Sequence, residues 1–152
     1  MNAPAKKKYV TWEEAQKLCY KLGEKLKPLV EKDPNIGLIA ITRGGLVPTA
    51  NLAACLDIRL IDTVCMSSYS GIDQAETMTL IKKASVAGHN WIIVDDLVDS
   101  GKTMKFAREL MPEAHTCAIY AKPMGKPLVH TYMEDVPQDE WIMFPWELYD
   151  FE

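Results

Sequence analysis

Hydrophobic and polar residues along the chain alternate between a helical period and short, unbroken apolar runs. A capping box formed by Thr11 and Glu14 opens a segment with apolar residues at every third or fourth position, which predicts a first helix. Pro28 is expected to end or kink this helix. The next apolar run, residues 36–41, has little alternation and is typical of a strand covered on both faces.

Strands and helices continue to alternate up to residue 121. Residues 42–45 and 95–101 are expected to be loops, and residues 67–78 a long polar loop, with a helix considered for its C-terminal part. Residues 122–152 are rich in proline and aromatic side chains and receive no assigned element. The further predicted elements are strands at residues 60–66, 91–94 and 116–121, and helices at residues 46–56 and 102–111.

An α/β fold follows from this alternation, because βαβ units build a mainly parallel central sheet flanked by helices. At roughly 150 residues per domain, the chain of 152 residues is expected to form a single domain. Ligands of such sheets bind at the carboxyl ends of the strands. The loops that start at Thr42, Ser67, Asp95 and Lys122 are therefore expected to converge on one cleft.

Composition narrows the class of protein. The chain is 48% hydrophobic and 25% charged, ordinary values that argue against a disordered or fibrous chain. Its net charge of −4, from 21 acidic and 17 basic residues, argues against a nucleic-acid partner. The polar start, with Lys6, Lys7 and Lys8, is unlike a signal peptide and is expected to be a solvated, disordered tail. No apolar stretch approaches the roughly 18 residues of a membrane span.

The cysteines and histidines show no spacing typical of a metal site. No cysteine pair has the CxxC spacing, and each cysteine has apolar neighbours, which predicts buried, reduced thiols in a cytosolic protein. The histidines are interpreted as surface or loop residues that form no cluster. The residues concerned are Cys19, Cys55, Cys65, Cys117, His89, His115 and His130.

The clearest candidate for chemistry is the sequence IIVDDLVDSGKT at residues 92–103. A buried strand delivers Asp95 and Asp96, Asp99 follows, and a Ser-Gly-Lys-Thr turn suited to binding a phosphate opens a helix. Buried carboxylates repel one another, and a divalent cation such as Mg²⁺ or a hydroxyl-rich sugar would compensate them. Helix capping alone would explain one acidic residue but not three. A Walker A loop is excluded because Asp96 stands where its first glycine would be.

These residues resemble the signature with which type I phosphoribosyltransferases bind phosphoribosyl pyrophosphate (PRPP). The sequence ITRGGLVP at residues 41–48 is similar to the pyrophosphate-binding loop of the family, and residues 62–69 to the start of its flexible hood loop. Residues 121–129 and 141–147 are similar to its purine-binding end. Together with residues 10–12, these blocks resemble the bacterial xanthine-guanine members along most of the chain.

The resemblance implies a purine salvage reaction in which xanthine or guanine and PRPP give XMP or GMP and pyrophosphate. It implies one phosphoribosyltransferase domain over residues 1–152, with a small hood contributed by the N-terminal and C-terminal segments. It also implies Mg²⁺ as cofactor, held at Asp96, and Asp99 as the catalytic group. The implied PRPP-binding residues are Arg43, Gly44, Asp95, Asp96, Asp99, Ser100, Gly101, Lys102 and Thr103. The implied purine-binding residues are Asp99, Lys122, Trp141 and Ile142.

Several alternatives stay open at the level of sequence. Lys122 could be a surface lysine and Trp141 a core tryptophan, and the other three tryptophans, Trp12, Trp91 and Trp146, are interpreted as core residues. The preferred base could be hypoxanthine, and a non-catalytic regulator that senses PRPP or nucleotides could use the same fold. The basic residue of the family's hood loop is missing at its usual place, unless Lys82 or Lys83 replaces it.

The resemblance also suggests an assembly and a location. It implies a homotetramer in the cytoplasm, for which the apolar helix at residues 46–56 is a candidate interface. A peripheral contact with the inner membrane is supported only by the run of lysines at residues 6–8.

Overall fold

A six-stranded sheet forms the centre of the fold in the computed structural model, which describes residues 6–70, 76–85 and 90–147. The helices are α1 (Trp12–Lys32), α2 (Leu46–Leu56) and α3 (Lys102–Leu110), and a short 3₁₀ turn spans Lys126–Leu128. The strands are β1 (Lys6–Tyr9), β2 (Gly37–Thr42), β3 (Ile61–Ser70), β4 (Glu76–Lys82), β5 (Trp91–Val98), β6 (His115–Ala121), β7 (Thr131–Asp135) and β8 (Glu140–Met143).

The strand order of the central sheet is β4-β3-β2-β5-β6-β7, and every pair is parallel except β3 with β4. Alternate residues of β5 point to opposite faces. Ile92 packs with Leu22 of α1 and Leu52 of α2, whereas Ile93 packs with Met104 of α3. The predicted α/β class, with a mainly parallel sheet flanked by helices, is therefore confirmed.

A second, two-stranded sheet joins the two ends of the described chain. In this sheet β1 runs parallel to β8, with Lys6 opposite Glu140 and Tyr9 opposite Met143. Ile142 of β8 is buried in an apolar cluster that also contains Leu18 of α1 and Tyr120 of β6. The expectation of a disordered tail is wrong for residues 6–8, because β8 pairs with them, although Lys6 and Lys7 are exposed to solvent as expected. Residues 1–5 lie outside the described part.

The first helix begins where the sequence predicts and ends later. The Glu14 amide donates to Thr11 Oγ1 over 3.1 Å and the Thr11 amide to Glu14 Oε2 over 3.4 Å, so the capping box is confirmed. The helix continues past Pro28 to Lys32, and the Asp33 amide still donates to the Leu29 carbonyl over 3.1 Å. Proline removes its own amide hydrogen bond and crowds the preceding turn, but Leu29 and Val30 pack against the apolar core and keep the last turn helical.

Several strands differ from the predictions. β5 extends to Val98, so Asp95 and Asp96 lie within a strand and not in an acidic loop, because pairing with β6 continues to the register Val98–Ala121. The loop expected at residues 67–78 is largely strand: β3 reaches Ser70 and β4 starts at Glu76, opposite Ser70, so the considered helix is wrong. Residues 71–75 lie outside the described part.

Some side chains also differ from the burial that the sequence predicts. The cysteines are all free; Cys19 and Cys117 are buried as expected, Cys65 is half-buried, and Cys55 is exposed on α2, so its predicted burial is wrong. Burial raises the pKa of the Cys19 thiol to about 12, which keeps this thiol protonated.

The tryptophans and histidines also agree only in part with the prediction. Trp91 is buried as predicted. Trp12 is 58% exposed, so its interpretation as a core residue is wrong, and its ring is tilted against that of the half-buried Trp146 with centroids 5.9 Å apart. His115 and His130 stack with ring centroids 4.8 Å apart, so these two do form a pair, while His89 lies outside the described residues. Within the described part, no helix combines the length and the hydropathy needed to cross a membrane.

Candidate active site

Asp95 and Asp96 are buried near the carboxyl end of the central strand β5, between β2 and β6. Asp95 Oδ1 accepts a hydrogen bond from the Asp96 amide over 2.8 Å. Asp96 Oδ1 accepts from the Leu97 amide over 2.7 Å, and Asp96 Oδ2 from Trp146 Nε1 over 3.4 Å. These donors fix the two side chains, so the carboxylates are held in place before any ligand binds.

Burial makes ionisation of both Asp95 and Asp96 unfavourable. Burial raises the pKa of Asp95 well above its ordinary value, and the adjacent Asp96 charge raises it further. Burial also raises the pKa of Asp96, and it outweighs the hydrogen bonds, including that from Trp146, that favour the charged form. A cation or several hydroxyl donors at this pair would therefore stabilise the ionised state.

The loop after β2 lies directly against this pair. A Cβ atom added to Gly44 would stand 2.6 Å from Asp96 Oδ2, so only glycine leaves room for the carboxylate. Arg43 is the first residue after β2; it is exposed, and the peptide bond between Thr42 and Arg43 is cis. Gly45 closes the turn through its amide, which donates to the Ile41 carbonyl over 2.8 Å.

The turn between β5 and α3 provides backbone and hydroxyl donors. Gly101 has a φ of +90°, in the left-handed region that side chains rarely adopt, and α3 starts at the next residue. Ser100 Oγ accepts from the Lys102 amide over 3.4 Å. A small cavity of about 80 Å³ is lined by Asp95, Asp99, Ser100, Gly101 and Thr103, among others. The four residues 100–103 thus surround the N-terminus of a helix, where a phosphate is stabilised.

Asp99 follows β5 and is bound by two other side chains. Lys122 Nζ contacts Asp99 Oδ2 at 3.1 Å, and Gln138 Nε2 donates to Asp99 Oδ1 over 2.8 Å. The side chain of Asp99 is 53% exposed, whereas Lys122 as a whole residue is only 4% exposed. The interpretation of Lys122 as a surface lysine is therefore wrong: the side chain is buried and its ammonium is paired with a carboxylate.

Trp141 and Ile142 are neighbours on β8, and one side chain is exposed while the other is buried. Trp141 is 52% exposed, so the interpretation of this residue as a core tryptophan is wrong. Ile142, the next residue, turns to the opposite side and is buried against Leu18 and Phe144. A strand that is anchored by Ile142 can present an aromatic ring to a ligand without losing its own packing.

The donors present fit a magnesium ion that completes its shell with substrate oxygens. Across residues 6–70, 76–85 and 90–147, no group of three or more His, Cys, Asp or Glu side chains forms a ligand set. Mg²⁺ is commonly held by one or two carboxylates, with water and substrate phosphates as the other ligands. Asp95 and Asp96 match that donor set in number and kind.

The comparison with known proteins identifies the family. A family model described as "Phosphoribosyl transferase domain" matches residues 12–152. The chain belongs to the phosphoribosyltransferase family. The expected resemblance to xanthine-guanine members is also confirmed, because curated xanthine-guanine phosphoribosyltransferases are identical to this chain at nearly half of the aligned positions.

Two relatives and one solved structure give the extent of this similarity. The xanthine-guanine phosphoribosyltransferase of Nitratidesulfovibrio vulgaris is 47% identical over 138 residues, 91% of this chain and 83% of the relative. That of Desulfotalea psychrophila is 48% identical over 119 residues, 78% and 74% of the two chains. A purine phosphoribosyltransferase from Pyrococcus horikoshii has a similar fold, with a TM-score of 0.80 and 27% identity over 96% and 97% of the two chains.

Two contacts of this phosphoribosyltransferase site were not expected from the sequence. Gln138, in the turn between β7 and β8, reaches Asp99, and no local pattern marks a lone glutamine as a site residue. Trp146 was interpreted as a core residue, yet its indole nitrogen reaches Asp96. Glu147 follows it, and burial raises the pKa of Glu147, with the Asp96 charge adding to the shift and Arg43 opposing it.

Lys82 and Lys83 are the two residues that could replace the missing basic residue of the hood loop. Lys82 Nζ contacts Asp62 Oδ1 at 3.1 Å and donates to the Thr63 carbonyl over 2.8 Å. These partners lie near the start of β3, whereas the acidic pair lies at the carboxyl edge of the sheet. Lys82 is therefore held at the base of the β3–β4 hairpin. Lys83 follows it toward the start of β3, where the Ser85 amide donates to Asp62 Oδ2 over 2.7 Å, so the structure brings neither lysine to the acidic pair.

Proposed function

We propose that the chain transfers the phosphoribosyl group of PRPP to xanthine or guanine, which gives XMP or GMP and pyrophosphate in purine salvage. The similarity to named xanthine-guanine phosphoribosyltransferases supports the reaction. The observation that carries the proposal is the buried Lys122, paired with Asp99 at 3.1 Å, beside the buried carboxylates of β5. The carboxyl edge of the sheet therefore offers the Lys122 ammonium as a donor to a base and the buried carboxylates as acceptors for the hydroxyls of a sugar.

PRPP is proposed to bind across the three loops at the carboxyl edge. Asp95 and Asp96 accept from the ribose hydroxyls, with Asp96 as the magnesium ligand, and the turn of Ser100, Gly101, Lys102 and Thr103 holds the 5′-phosphate. Arg43 and the Gly44 amide hold the pyrophosphate, since arginine binds such oxygens in a bidentate manner. Magnesium, when bound, neutralises charge on the pyrophosphate. This binding holds the sugar in a fixed position for attack.

The purine is proposed to bind between Lys122 and Trp141. The Lys122 ammonium donates to the oxygen at C6 of xanthine or guanine, and it disfavours adenine, whose 6-amino group is itself a donor. Trp141 stacks on the base, and the Ile142 backbone contacts the edge of the base. Asp99 lies next to Lys122, and we propose that it handles the proton at N7.

Catalysis in this proposal comes from positioning and charge. The ribose passes through an oxocarbenium-like state as pyrophosphate leaves, and the carboxylates beneath it stabilise positive charge. Arg43 and the backbone amides stabilise the leaving group. Pre-formed side chains such as the hydrogen-bonded Asp96 need no reorganisation at the moment of reaction.

We also propose one domain over residues 1–152, with a small hood built by the two ends of the chain. The pairing of β1 with β8, through which those ends meet, supports this organisation. A homotetramer in the cytoplasm is proposed as well. The uncharged helix α2 exposes Leu46 and Ala50 beside Trp12 and supports a contact with a second copy. Four free cysteines fit a reducing compartment.

Relative turnover of four bases tests this function. Purified chain is incubated with PRPP and Mg²⁺, and kcat/KM is measured for guanine, xanthine, hypoxanthine and adenine by ultraviolet absorbance. We expect the highest values of kcat/KM for guanine and xanthine and a far lower value for adenine. A preference for hypoxanthine would change the substrate assignment. PRPP binding without release of pyrophosphate would support the regulator instead.

A further inference from the structure

Gln138 connects two parts of the site through its side-chain amide. Its Oε1 accepts from the Met124 backbone amide over 2.9 Å, and its Nε2 donates to Asp99 Oδ1 over 2.8 Å. A backbone amide can only donate, so the oxygen of Gln138 must face Met124 and its nitrogen must face Asp99. The amide orientation is thereby fixed, and it presents a donor to the Asp99 carboxylate.

Backbone hydrogen bonds fix the two turns that Gln138 connects. The Val136 amide donates to the Ala121 carbonyl over 3.1 Å and the Glu140 amide to the Pro137 carbonyl over 3.1 Å, which fixes the turn that carries Gln138. On the other side, the Gly125 amide donates to the Lys122 carbonyl over 2.9 Å, which fixes the turn that carries Met124. Gln138 therefore joins two ordered turns.

Asp99 needs such support because packing alone does not hold it. Its side chain is 53% exposed, and it belongs to the short connection between β5 and α3. Lys122 occupies Oδ2 and Gln138 occupies Oδ1, so donors from two directions fix the plane of the carboxylate. Lys122 would turn to the base when a purine binds, which leaves Gln138 as the donor that keeps Asp99 in place.

We propose that Gln138 is a positioning residue that orients Asp99 toward N7 of the purine and keeps its carboxylate an acceptor. This inference relies on the proposed role of Asp99 in the reaction. Gln138 acts through Asp99 and contacts no reacting atom. Its loss is expected to reduce the rate of the chemical step and to change PRPP binding little, because the side-chain hydrogen bonds of Gln138 go to Asp99 and Met124 and not to the turn of residues 100–103.

A double-mutant cycle with Gln138→Leu and Asp99→Asn tests this proposal. Gln138→Leu keeps a similar volume and removes both hydrogen bonds, and we expect a roughly tenfold fall in kcat with guanine, since a misplaced catalytic group costs one to two orders of magnitude. The KM for PRPP should stay within twofold of the wild-type value. In the Asp99→Asn background the second change should have almost no further effect, because Gln138 then has no carboxylate to orient.

Gln138→Glu gives kcat a pH dependence that would not appear if Gln138 had only a structural role. A carboxylate at this position still accepts from Met124 but repels Asp99, whereas its protonated form can donate as the amide does. The ratio of variant to wild-type kcat should therefore rise as the pH falls from 8 toward 5, while the same ratio for Gln138→Leu stays flat. Gln16→Leu, which removes an exposed glutamine that donates to Tyr20 on α1, is the matched control and should behave as wild type.

The outcomes separate the two proposals. Wild-type turnover by Asp99→Asn would remove Asp99 from the mechanism and the role of Gln138 with it. Loss of turnover in Asp99→Asn, together with wild-type kcat in Gln138→Leu, would overturn the positioning role alone. Independent, additive losses in the cycle, or equal pH dependence of the Glu and Leu variants, would also overturn it. Unchanged thermal unfolding of each variant excludes misfolding as the cause.

Discussion

Gly44→Ala tests whether the loop after β2 and the acidic pair form one site. The added methyl group would stand 2.6 Å from Asp96 Oδ2 and 2.7 Å from its Cγ and Oδ1. Favourable contacts of a carbon atom begin at about 3.5 Å, so the carboxylate or the loop must move by roughly 0.9 Å. Asp96 cannot move freely, because it is buried and accepts hydrogen bonds from the Leu97 amide and Trp146.

The magnitude of the effect follows from that displacement. A shift of about 1 Å in a catalytic group costs on the order of a hundredfold in rate, or about 2.7 kcal/mol of transition-state stabilisation. Overpacking a buried site costs a further ~1–3 kcal/mol of folding free energy, which lowers Tm by roughly 2–12 °C in a chain of this length. We therefore expect Gly44→Ala to lower kcat/KM for PRPP about a hundredfold while the protein stays folded.

The assay measures kcat/KM for PRPP at saturating guanine, together with thermal unfolding. Gly23→Ala is the control, because Gly23 lies within α1 and its added methyl group would meet the side chain of the exposed Cys55 and not the site. The control should retain wild-type kinetics. A value of kcat/KM for Gly44→Ala within twofold of wild type would refute the contact between this loop and Asp96 as a determinant of PRPP use.

Three further predictions concern the base site and pH. Trp141→Ala should raise KM for guanine about 5- to 150-fold, the equivalent of ~1–3 kcal/mol of stacking, with little change in Tm because the ring is half-exposed; equal effects on the KM for PRPP would contradict stacking. Lys122→Met should lower kcat/KM for guanine and reduce the ratio of kcat/KM for guanine to kcat/KM for adenine, which competition between the two bases measures. An unchanged ratio would exclude Lys122 from base selection. Burial and the neighbouring His130 lower the pKa of His115 from about 6.5 to about 4. The unfolded chain therefore binds the extra proton first, and the free energy of unfolding should fall as pH falls from about 6.5 to 4. Urea unfolding of His115→Gln should show a smaller fall over this window, and an equal fall would refute the assignment.

The sequence predicts best those elements whose pattern is local. The bounds of α2 agree with the prediction because Pro48 fits only the first turn and the apolar stretch ends at Leu56. The end of β5 is missed because Asp95 and Asp96 break the apolar run, although pairing with β6 continues through them. Sequence patterns reveal periodicity, whereas the length of this strand depends on a neighbour that lies about twenty residues away.

The strands at the two ends of the chain show the same limit more strongly. The lysines at residues 6–8 have a polar composition that favours a solvated tail, and they form a strand only because β8 supplies the partner from the other end of the chain. β7 and β8 lie among prolines and charged residues, where alternation is weak. Nothing local in either segment specifies such pairing, so it becomes visible only in the folded structure.

The loops of the candidate site can be predicted from the sequence, whereas two of its side chains cannot. The carboxyl ends of parallel strands meet at one edge, so the predicted alternation of strands and helices was enough to bring the loops after β2, β5 and β6 together. The side chains of Gln138 and Trp146 come from the C-terminal part, whose elements could not be assigned. Their roles depend on three-dimensional contacts with Asp99 and Asp96, for which single residues carry no sequence signal.

Calorimetric titration with PRPP tests the central claim most directly, that the buried Asp95–Asp96 pair binds the sugar phosphate together with magnesium. Wild-type protein and Asp96→Asn are titrated with PRPP in the presence of Mg²⁺ and again with EDTA. We predict saturable binding by the wild type that requires Mg²⁺ and is lost in Asp96→Asn. Equal affinity of both proteins for PRPP, or wild-type binding that is the same in EDTA, would contradict the claim.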